Sequence, residues 1–266
     1  MHISGNIRKM IASGSDGYVH YELPVGPGKL DMNDLLDTDI RIEYGNRINC
    51  IHCGRETKRS FMQGYCYPCF ISLPQTDECI LHPEKCRAHL GISRDMEWSE
   101  TYCLRDHFVY LALSPGLKVG VTRESQVPVR WMDQGASEVI KLAVAPNRHL
   151  AGVIEVELKN HLADKTNWRN MLKGIDPAVE DLALEKERIS DLLPDGLKKY
   201  LCTDNTVYRF SYPVNKYPEK VKTLNFEKDN NIEGKLAGIK GQYLIFDDGH
   251  VLNIRKFGGY YVDIYY

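Results

Sequence analysis

Seven of the eight cysteines in this 266-residue chain lie between positions 50 and 103. Cysteines spread along a secreted chain indicate disulfides, whereas a cluster without an export signal favours metal binding. The amino terminus, MHISGNIRKMIAS, contains no apolar core of the kind that a signal peptide needs. We therefore expect a cytoplasmic protein in which metal organises one stretch of the chain.

The composition is that of an ordinary globular protein. Hydrophobic residues make up 43% and charged residues 26% of the chain, which excludes collagen-like, low-complexity and wholly disordered classes. No stretch approaches the roughly 18 apolar residues of a membrane span, so no membrane partner is expected. The formal net charge of −2 gives no global basic field. Any binding of nucleic acid must therefore use a local patch.

Changes in residue pattern divide the chain into four parts. Residues 1–46 and residues 201–266 alternate in the manner of strands and are predicted to be β-rich terminal segments. Residues 47–107 hold the cysteines and little apolar periodicity, so they are predicted to be a zinc-binding module. Residues 108–200 return to α/β patterning. The predicted class is α+β, with a small antiparallel sheet and helices beside the zinc-binding module.

Two CxxC motifs separated by 12 residues predict a first zinc site. Each motif places two thiolates on a tight turn, and two turns complete a tetrahedral site. A redox CxxC is the alternative, but two copies without a surrounding βαβ pattern disfavour it. Tyr44–Asn49 and Ser60–Gly64 are candidate hairpin arms of a zinc ribbon. The predicted ligands are Cys50, Cys53, Cys66 and Cys69.

Three further cysteines lie near three histidines and make a second zinc site plausible. The spacings Cys86-x2-His89 and Cys103-x3-His107 are typical of zinc ligands, whereas His82 precedes a proline and is the weakest candidate. Some of these histidines could instead be surface polar groups. Spacing does not decide among them, so one or two structural zinc ions are expected. The preferred second set is Cys79, Cys86 and Cys103 with His89 or His107.

Basic and aromatic side chains surround the first CxxC pair. They suit nucleic acid, through phosphate pairing and base stacking. The alternative is a solvated surface over a small aromatic core. The basic residues are Arg47, Arg55, Lys58 and Arg59, and the aromatic residues are Phe61, Tyr65, Tyr67 and Phe70.

The central segment predicts strands at residues 108–113, 117–122 and 139–144. It predicts helices at residues 128–133 and 147–162. In the longer helix, the large apolar residues form one stripe at about 100° per residue. Glu157 and His161 are predicted near the middle of that stripe, and Glu155 on the outward face. A buried carboxylate is costly unless it is paired or metal-bound, so Glu157 becomes a site candidate. The alternative is that it pairs with an arginine at a polar edge.

The order of features in this segment resembles that of the GIY-YIG nuclease superfamily. Phe108-Val109-Tyr110 resembles the first motif and Lys118-Val119-Gly120 the second. Phe108 replaces the first glycine, and Lys118 replaces a tyrosine, a change that some branches share. The remaining three positions are matched by Arg130, Glu157 and Asn167, and Glu157-x3-His161 is similar to a pair in one branch.

Most of the chain also resembles an uncharacterised bacterial family, domain-of-unknown-function family 2797. That resemblance implies no activity. The shared stretches are Cys50–Cys69, Tyr110–Arg123, Arg130–Ala136, Asp164–Arg169 and Gly238–Leu244.

The nuclease resemblance implies metal-dependent phosphodiester hydrolysis of DNA or RNA, with Mg²⁺ or Mn²⁺ held by Glu157. Tyr110 would help to activate the attacking water, as a general base or through a relay. Lys118 would lower the pKa of that tyrosine or contact phosphate. Arg130 would stabilise the charge of the transition state.

Two further residues receive supporting roles from the same resemblance. His161 would orient Glu157 or share proton transfer, and Asn167 would brace the site by hydrogen bonds. Asn167 could instead cap a helix that begins at Trp168. The alternative functions are a catalytically inactive zinc-containing nucleic-acid-binding protein and a zinc-stabilised scaffold for protein interactions. The sequence does not indicate an oligomeric state.

Overall fold

The computed structural model describes residues 1–14, 16–162, 167–175 and 181–266. Within these ranges, strands form three sheets and helices cover or connect them, which confirms the predicted α+β class. No helix in this part of the chain combines the length and apolar character needed to cross a bilayer.

The strands are β1 (His2–Asn6), β2 (Ile11–Ser13), β3 (His20–Val25), β4 (Gly28–Asp31), β5 (Asp39–Ile48), β6 (His107–Leu113), β7 (Leu117–Arg123), β8 (Glu138–Ala145), β9 (Val207–Arg209), β10 (Lys222–Thr223), β11 (Asn231–Lys240), β12 (Tyr243–Phe246), β13 (His250–Asn253) and β14 (Tyr260–Tyr265). The helices are α1 (Tyr67–Ser72), α2 (Met96–Tyr102), α3 (Val129–Asp133), α4 (Arg148–Lys159), α5 (Trp168–Leu172), α6 (Leu182–Asp191) and α7 (Asp195–Lys198). Short 3₁₀ turns occupy Pro74–Thr76, Glu78–Ile80, Pro83–Lys85, Ala88–Leu90, Glu124–Gln126 and Ile254–Phe257.

The largest sheet joins the two β-rich ends of the chain. Its strand order is β1-β14-β5-β11-β12-β13-β10. β5 lies between β14 and β11 and pairs antiparallel with both. Together with the three-stranded sheet β2-β3-β4, it encloses one hydrophobic core. Segments 1–46 and 201–266 therefore share a core, and the division of the chain into four domains stays a prediction.

A second, smaller antiparallel sheet has the order β7-β6-β8-β9. Every residue of β6 is buried, because the sheet is covered on both faces. Val109 and Leu111 pack with Ile154 of α4 on one face, whereas Tyr110 packs with Trp131 of α3 on the other. This alternation follows from the two-residue period of a strand. The three strands predicted for this segment are confirmed to within about one residue at each end.

Helix α4 packs closely against the 3₁₀ turn Pro83–Lys85. Asn147 caps its first turn, where the side-chain Oδ1 accepts the Leu150 N–H at 2.9 Å. At Gly152 a Cβ atom would lie 2.1 Å from the Glu84 nitrogen, so only glycine fits. The buried face of α4 therefore includes small residues, and it extends round the helix toward Glu155.

Candidate functional site

The first cysteine cluster brings together all four predicted ligands. The Sγ atoms of Cys50, Cys53, Cys66 and Cys69 lie within 4.8 Å of one another. Gly54, at a φ of +72°, allows the tight turn after Cys53. Burial raises the pKa of the Cys50 thiol, but the backbone N–H groups of Cys53, Cys66 and His52 outweigh it and lower that pKa to about 6. This cluster could hold a metal ion such as zinc.

The expected hairpin arms of a zinc ribbon are not paired with each other in the described residues. Residues 44–48 belong to β5, which pairs with β14. An isolated bridge between Asn49 and Glu56 closes the first CxxC turn, and a bridge between Phe61 and Tyr65 closes the turn just before Cys66. The zinc ribbon with Tyr44–Asn49 and Ser60–Gly64 as its arms is therefore not confirmed, since residues 44–48 belong to a strand of the large sheet.

The basic and aromatic residues near this cluster divide into two groups. Some have structural contacts: the Arg47 guanidinium lies 4.2 Å from the centre of the Tyr261 ring, and Phe61 stacks on Phe70 at 5.6 Å. Others face solvent, since Tyr67 is 56% exposed. Three basic residues are exposed and form no ion pair with any described residue; these are Arg55, Lys58 and Arg59.

The second cluster brings together three buried thiols. The Sγ atoms of Cys79, Cys86 and Cys103 lie within 4.8 Å of one another and could hold a metal ion such as zinc. Hydrogen bonds from the Cys79 and Cys86 thiols lower the pKa of Cys103. Neither candidate histidine is inside this 4.8 Å group. His89 is exposed, and its ring stacks on His149 at 4.4 Å, whereas His107 is buried.

A third cluster forms around the Tyr110 hydroxyl. The register of β6 and β7 pairs Tyr110 with Gly120 and Ala112 with Lys118, which places Tyr110 and Lys118 on one face of the sheet. A Cβ atom at Gly120 would lie 2.6 Å from the Tyr110 oxygen, so this glycine lets the ring lie across β7. Gln134, just after α3, donates its Nε2–H to the Tyr110 hydroxyl at 2.9 Å.

Charged groups of both signs act on this hydroxyl. Burial raises the pKa of Tyr110, Arg130 and the Gln134 hydrogen bond oppose that rise, and Glu155 adds to it. Burial lowers the pKa of Lys118, and the charge of Arg130 lowers it further, to about 8. The sequence identified Tyr110, Lys118 and Arg130, and the structure brings these three together. Their catalytic roles stay predictions.

The buried acidic residue of α4 is Glu155 rather than Glu157, and α4 covers the face of the sheet opposite Tyr110. Glu155 is 8% exposed and forms an ion pair with Lys159 at 3.6 Å. Glu157 is half-buried, and its carboxylate makes no hydrogen bond or ion pair with a described residue. The expectation that Glu155 faces outward is wrong. The predicted stripe includes large apolar residues only, whereas the buried face of α4 also includes the small residues Ala151 and Gly152.

The two supporting residues, His161 and Asn167, form no hydrogen bond with this cluster. His161 is exposed, and the described residues offer its ring no hydrogen bond. Asn167 is exposed and caps α5, where its Oδ1 accepts the Asn170 N–H at 3.3 Å. The structure therefore agrees with the capping alternative for Asn167. Residues 164–166, which belong to a stretch shared with the family, lie outside the described residues.

One cationic residue was missed by sequence reasoning. Arg255 follows β13, donates its Nε–H to Gln63 at 2.6 Å and has its pKa lowered by burial and by Arg130. It lines a groove of about 270 Å³ together with Arg8 and Lys9. No local pattern could have found this contact, because it joins three distant parts of the chain.

Comparison with known proteins gives one match. The family model described as "Protein of unknown function (DUF2797)" matches residues 37–262. No curated protein matches, and no solved structure matches.

Proposed function

The chain belongs to the DUF2797 family of proteins of unknown function, and from that premise we propose that it hydrolyses phosphodiester bonds in nucleic acid. The observation that carries the proposal is the group around the Tyr110 hydroxyl: Lys118 on the same face of the sheet, Arg130 on the helix that packs against that face, and the hydrogen bond from Gln134. Phosphodiester hydrolysis needs a positioned water and positive charge near the phosphate oxygens. This group supplies both kinds of contact.

Each residue has a role that its environment supports. Arg130 and Lys118 would contact the non-bridging phosphate oxygens, where charge develops. Because burial raises the pKa of Tyr110, its hydroxyl is protonated in the free protein and would donate a hydrogen bond to the water or to phosphate. Gln134 would hold that hydroxyl in place from the other side.

Glu155 would hold the divalent ion, in the place that the sequence assigned to Glu157. A carboxylate is the ligand that Mg²⁺ and Mn²⁺ prefer, and Glu155 is the buried carboxylate of α4. When bound, such an ion supplies positive charge opposite the developing negative charge of the reacting phosphate. Lys159 shields the same carboxylate from the solvent side.

Nucleic acid would be held by the cationic groove and by the first zinc centre. The groove is lined by Arg8, Lys9 and Arg255, and the charge of Arg130 acts on Arg255. Asp133 opposes Lys9, so the groove is not uniformly positive. The exposed cations beside the four-cysteine cluster would pair with further phosphates, and zinc bound there would keep those side chains in place.

A catalytically inactive nucleic-acid-binding protein is the second candidate. The observation that favours it is the complete burial of Tyr110, which packs against Trp131 at 5.8 Å between ring centres. In that case the same cations would bind phosphate without hydrolysis.

Two glutamates on one helix provide a matched test. Glu155→Gln should lower the rate of Mg²⁺- or Mn²⁺-dependent cleavage by at least about 100-fold, while Glu157→Gln should change it by less than about threefold. Single- and double-stranded DNA and RNA are the substrates, and gel shifts check that both variants still bind. If Glu157→Gln alone abolishes cleavage, the assignment of Glu155 is wrong. Wild-type protein that binds but cuts none of these substrates would favour the second candidate.

A further inference from the structure

A buried histidine beside the three-cysteine cluster has one ring nitrogen without a partner. His107 is 2% exposed, and its Nδ1 lies 2.7 Å from the Arg105 carbonyl oxygen. Because a carbonyl only accepts, Nδ1 carries the proton and Nε2 carries a lone pair. That Nε2 atom is buried and has no hydrogen-bond partner. A buried polar atom left unsatisfied costs about 1–3 kcal/mol, so its retention needs a reason.

The orientation of this ring is the one that metal-binding histidines adopt. In such residues the second ring nitrogen donates to a carbonyl or carboxylate, which fixes the tautomer and turns the free lone pair toward the metal. His107 lies on the same face of β6 as Val109 and Leu111, which α4 covers, and the first residue of α4, Arg148, donates its N–H to the Cys103 carbonyl at 2.8 Å. Three thiolates fill three corners of a tetrahedron and leave one corner open.

We propose that Nε2 of His107 is the fourth ligand of a closed zinc site formed with Cys79, Cys86 and Cys103. His107 lies outside the 4.8 Å group of the three thiols, so the ring and the thiols must draw together when zinc binds. His89, the other candidate, is exposed and stacked on His149 and has no buried atom in need of a partner.

The charges around the cluster fit this ligand set. Three thiolates and one neutral imidazole around Zn²⁺ leave a net charge of −1. Arg148 lies beside the cluster and donates to the carbonyls of Cys79 and Tyr102, at 3.4 and 3.1 Å. A nearby arginine therefore balances the charge of the proposed centre.

The proposed ligand connects zinc to the elements that carry Tyr110 and Glu155. His107 is the first residue of β6, and Arg148 is the first residue of α4. The Arg148 N–H also donates to the Cys103 carbonyl at 2.8 Å. Zinc at this centre would thus fix the start of both elements. The inference deepens the zinc-binding part of the proposed function and does not depend on cleavage.

Two histidine variants of the full chain separate the candidates by metal content. Elemental analysis should give two zinc ions per chain for the wild type and for His89→Ala, and about one for His107→Ala. Loss of an outer-shell partner typically costs about 10–100-fold in metal affinity, so loss of a direct ligand should exceed that. His107→Cys should restore the second ion, because a fourth thiolate can replace the imidazole.

A measurement that leaves His107 intact covers the case in which its variants do not fold. X-ray absorption of zinc-loaded His89→Ala should show imidazole scattering, with zinc–nitrogen distances of about 2.0 Å beside zinc–sulfur distances of about 2.3 Å. Absence of the imidazole signal in that variant would overturn the proposal. So would a wild type with one zinc, or His107→Ala protein that keeps two ions at unchanged affinity. None of these outcomes depends on whether the protein cleaves nucleic acid.

Discussion

Lys118 is a residue whose charge lowers the stability of the folded protein at neutral pH. Its pKa is about 8, because burial and the nearby Arg130 both disfavour the ammonium form. In the unfolded chain the pKa is close to 10.5. Between these values the unfolded state binds more protons, so the free energy of unfolding rises with pH. The cost is full below about pH 8 and disappears toward pH 10.5.

Replacing this lysine should therefore stabilise the protein at pH 7. Lys118→Met is expected to raise the free energy of unfolding by about 1–3 kcal/mol at pH 7 and by less at pH 9.5, as measured by urea denaturation. Lys141→Met is the matched control. Burial opposes the charge of Lys141, but Tyr208 and Asp204 outweigh it and raise its pKa, so no gain is expected there. A Lys118→Met gain that is absent, or equal at both pH values, would contradict the assignment.

The residues of the Tyr110 cluster show how far sequence reasoning reaches at this scale. Tyr110, Lys118 and Arg130 could be identified because each occupies a fixed place in a short local pattern. Glu155 could not, because the stripe of large apolar residues favours Glu157, whereas the packing of Gly152 against Pro83 and Glu84 turns the buried face of α4 toward Glu155. A stripe that counts small residues as potential core would have favoured Glu155.

At the scale of elements, α4 depends on a close approach that only glycine allows. Gly152→Ala would place a methyl group against the backbone of Pro83 and Glu84, which cannot move aside as a side chain would. We expect the free energy of unfolding to fall by about 1–3 kcal/mol, although alanine favours helix by about 1 kcal/mol.

A second helical glycine is the control for this change. Gly196 in α7 has no atom within 4 Å of the position of a Cβ, so Gly196→Ala should raise the free energy of unfolding by about 0.5–1 kcal/mol. Denaturant titration measures both. Stabilisation by both alanines would show that α4 does not pack against residues 83–85 as described.

Elements were predicted more accurately than their arrangement. β6, β7 and β8 follow from runs of apolar residues bounded by turns, which are local signals. The pairing of β5 with β11 and β14 joins residues about 190 to 220 positions apart, and strand alternation alone does not indicate a partner. The same limit applies to Arg255, which reaches the cationic groove through this long-range arrangement.

At the scale of the whole molecule, one buried glutamine connects three parts of the chain. Gln242 accepts the Met10 N–H at 2.8 Å and donates to the Met10 carbonyl at 3.0 Å. It also donates to Asp133, at the end of α3, at 2.9 Å. The N-terminal segment, the helix that carries Arg130 and the C-terminal sheet therefore meet at this side chain.

Removing these hydrogen bonds should destabilise the molecule as a unit. Gln242→Met keeps the volume but leaves buried groups of Met10 unsatisfied, so the free energy of unfolding should fall by about 2–4 kcal/mol. The exposed Gln126→Met should change it by less than about 0.5 kcal/mol. Thermal unfolding followed by circular dichroism tests both. A Gln242→Met protein as stable as the wild type would mean that these three parts are held together elsewhere.

The position of β5 has a consequence for the order in which the chain acquires structure during synthesis. β5 is complete by residue 48, yet both of its neighbours come from residues after 230. A chain emerging from the ribosome must carry this strand with both backbone edges unpaired until β11 and β14 follow, a state prone to aggregation. The cysteines of both clusters all emerge within the first 103 residues. Zinc binding could therefore create the first stable structure in the nascent chain. That structure would form directly after β5, whose pairing partners are synthesised last.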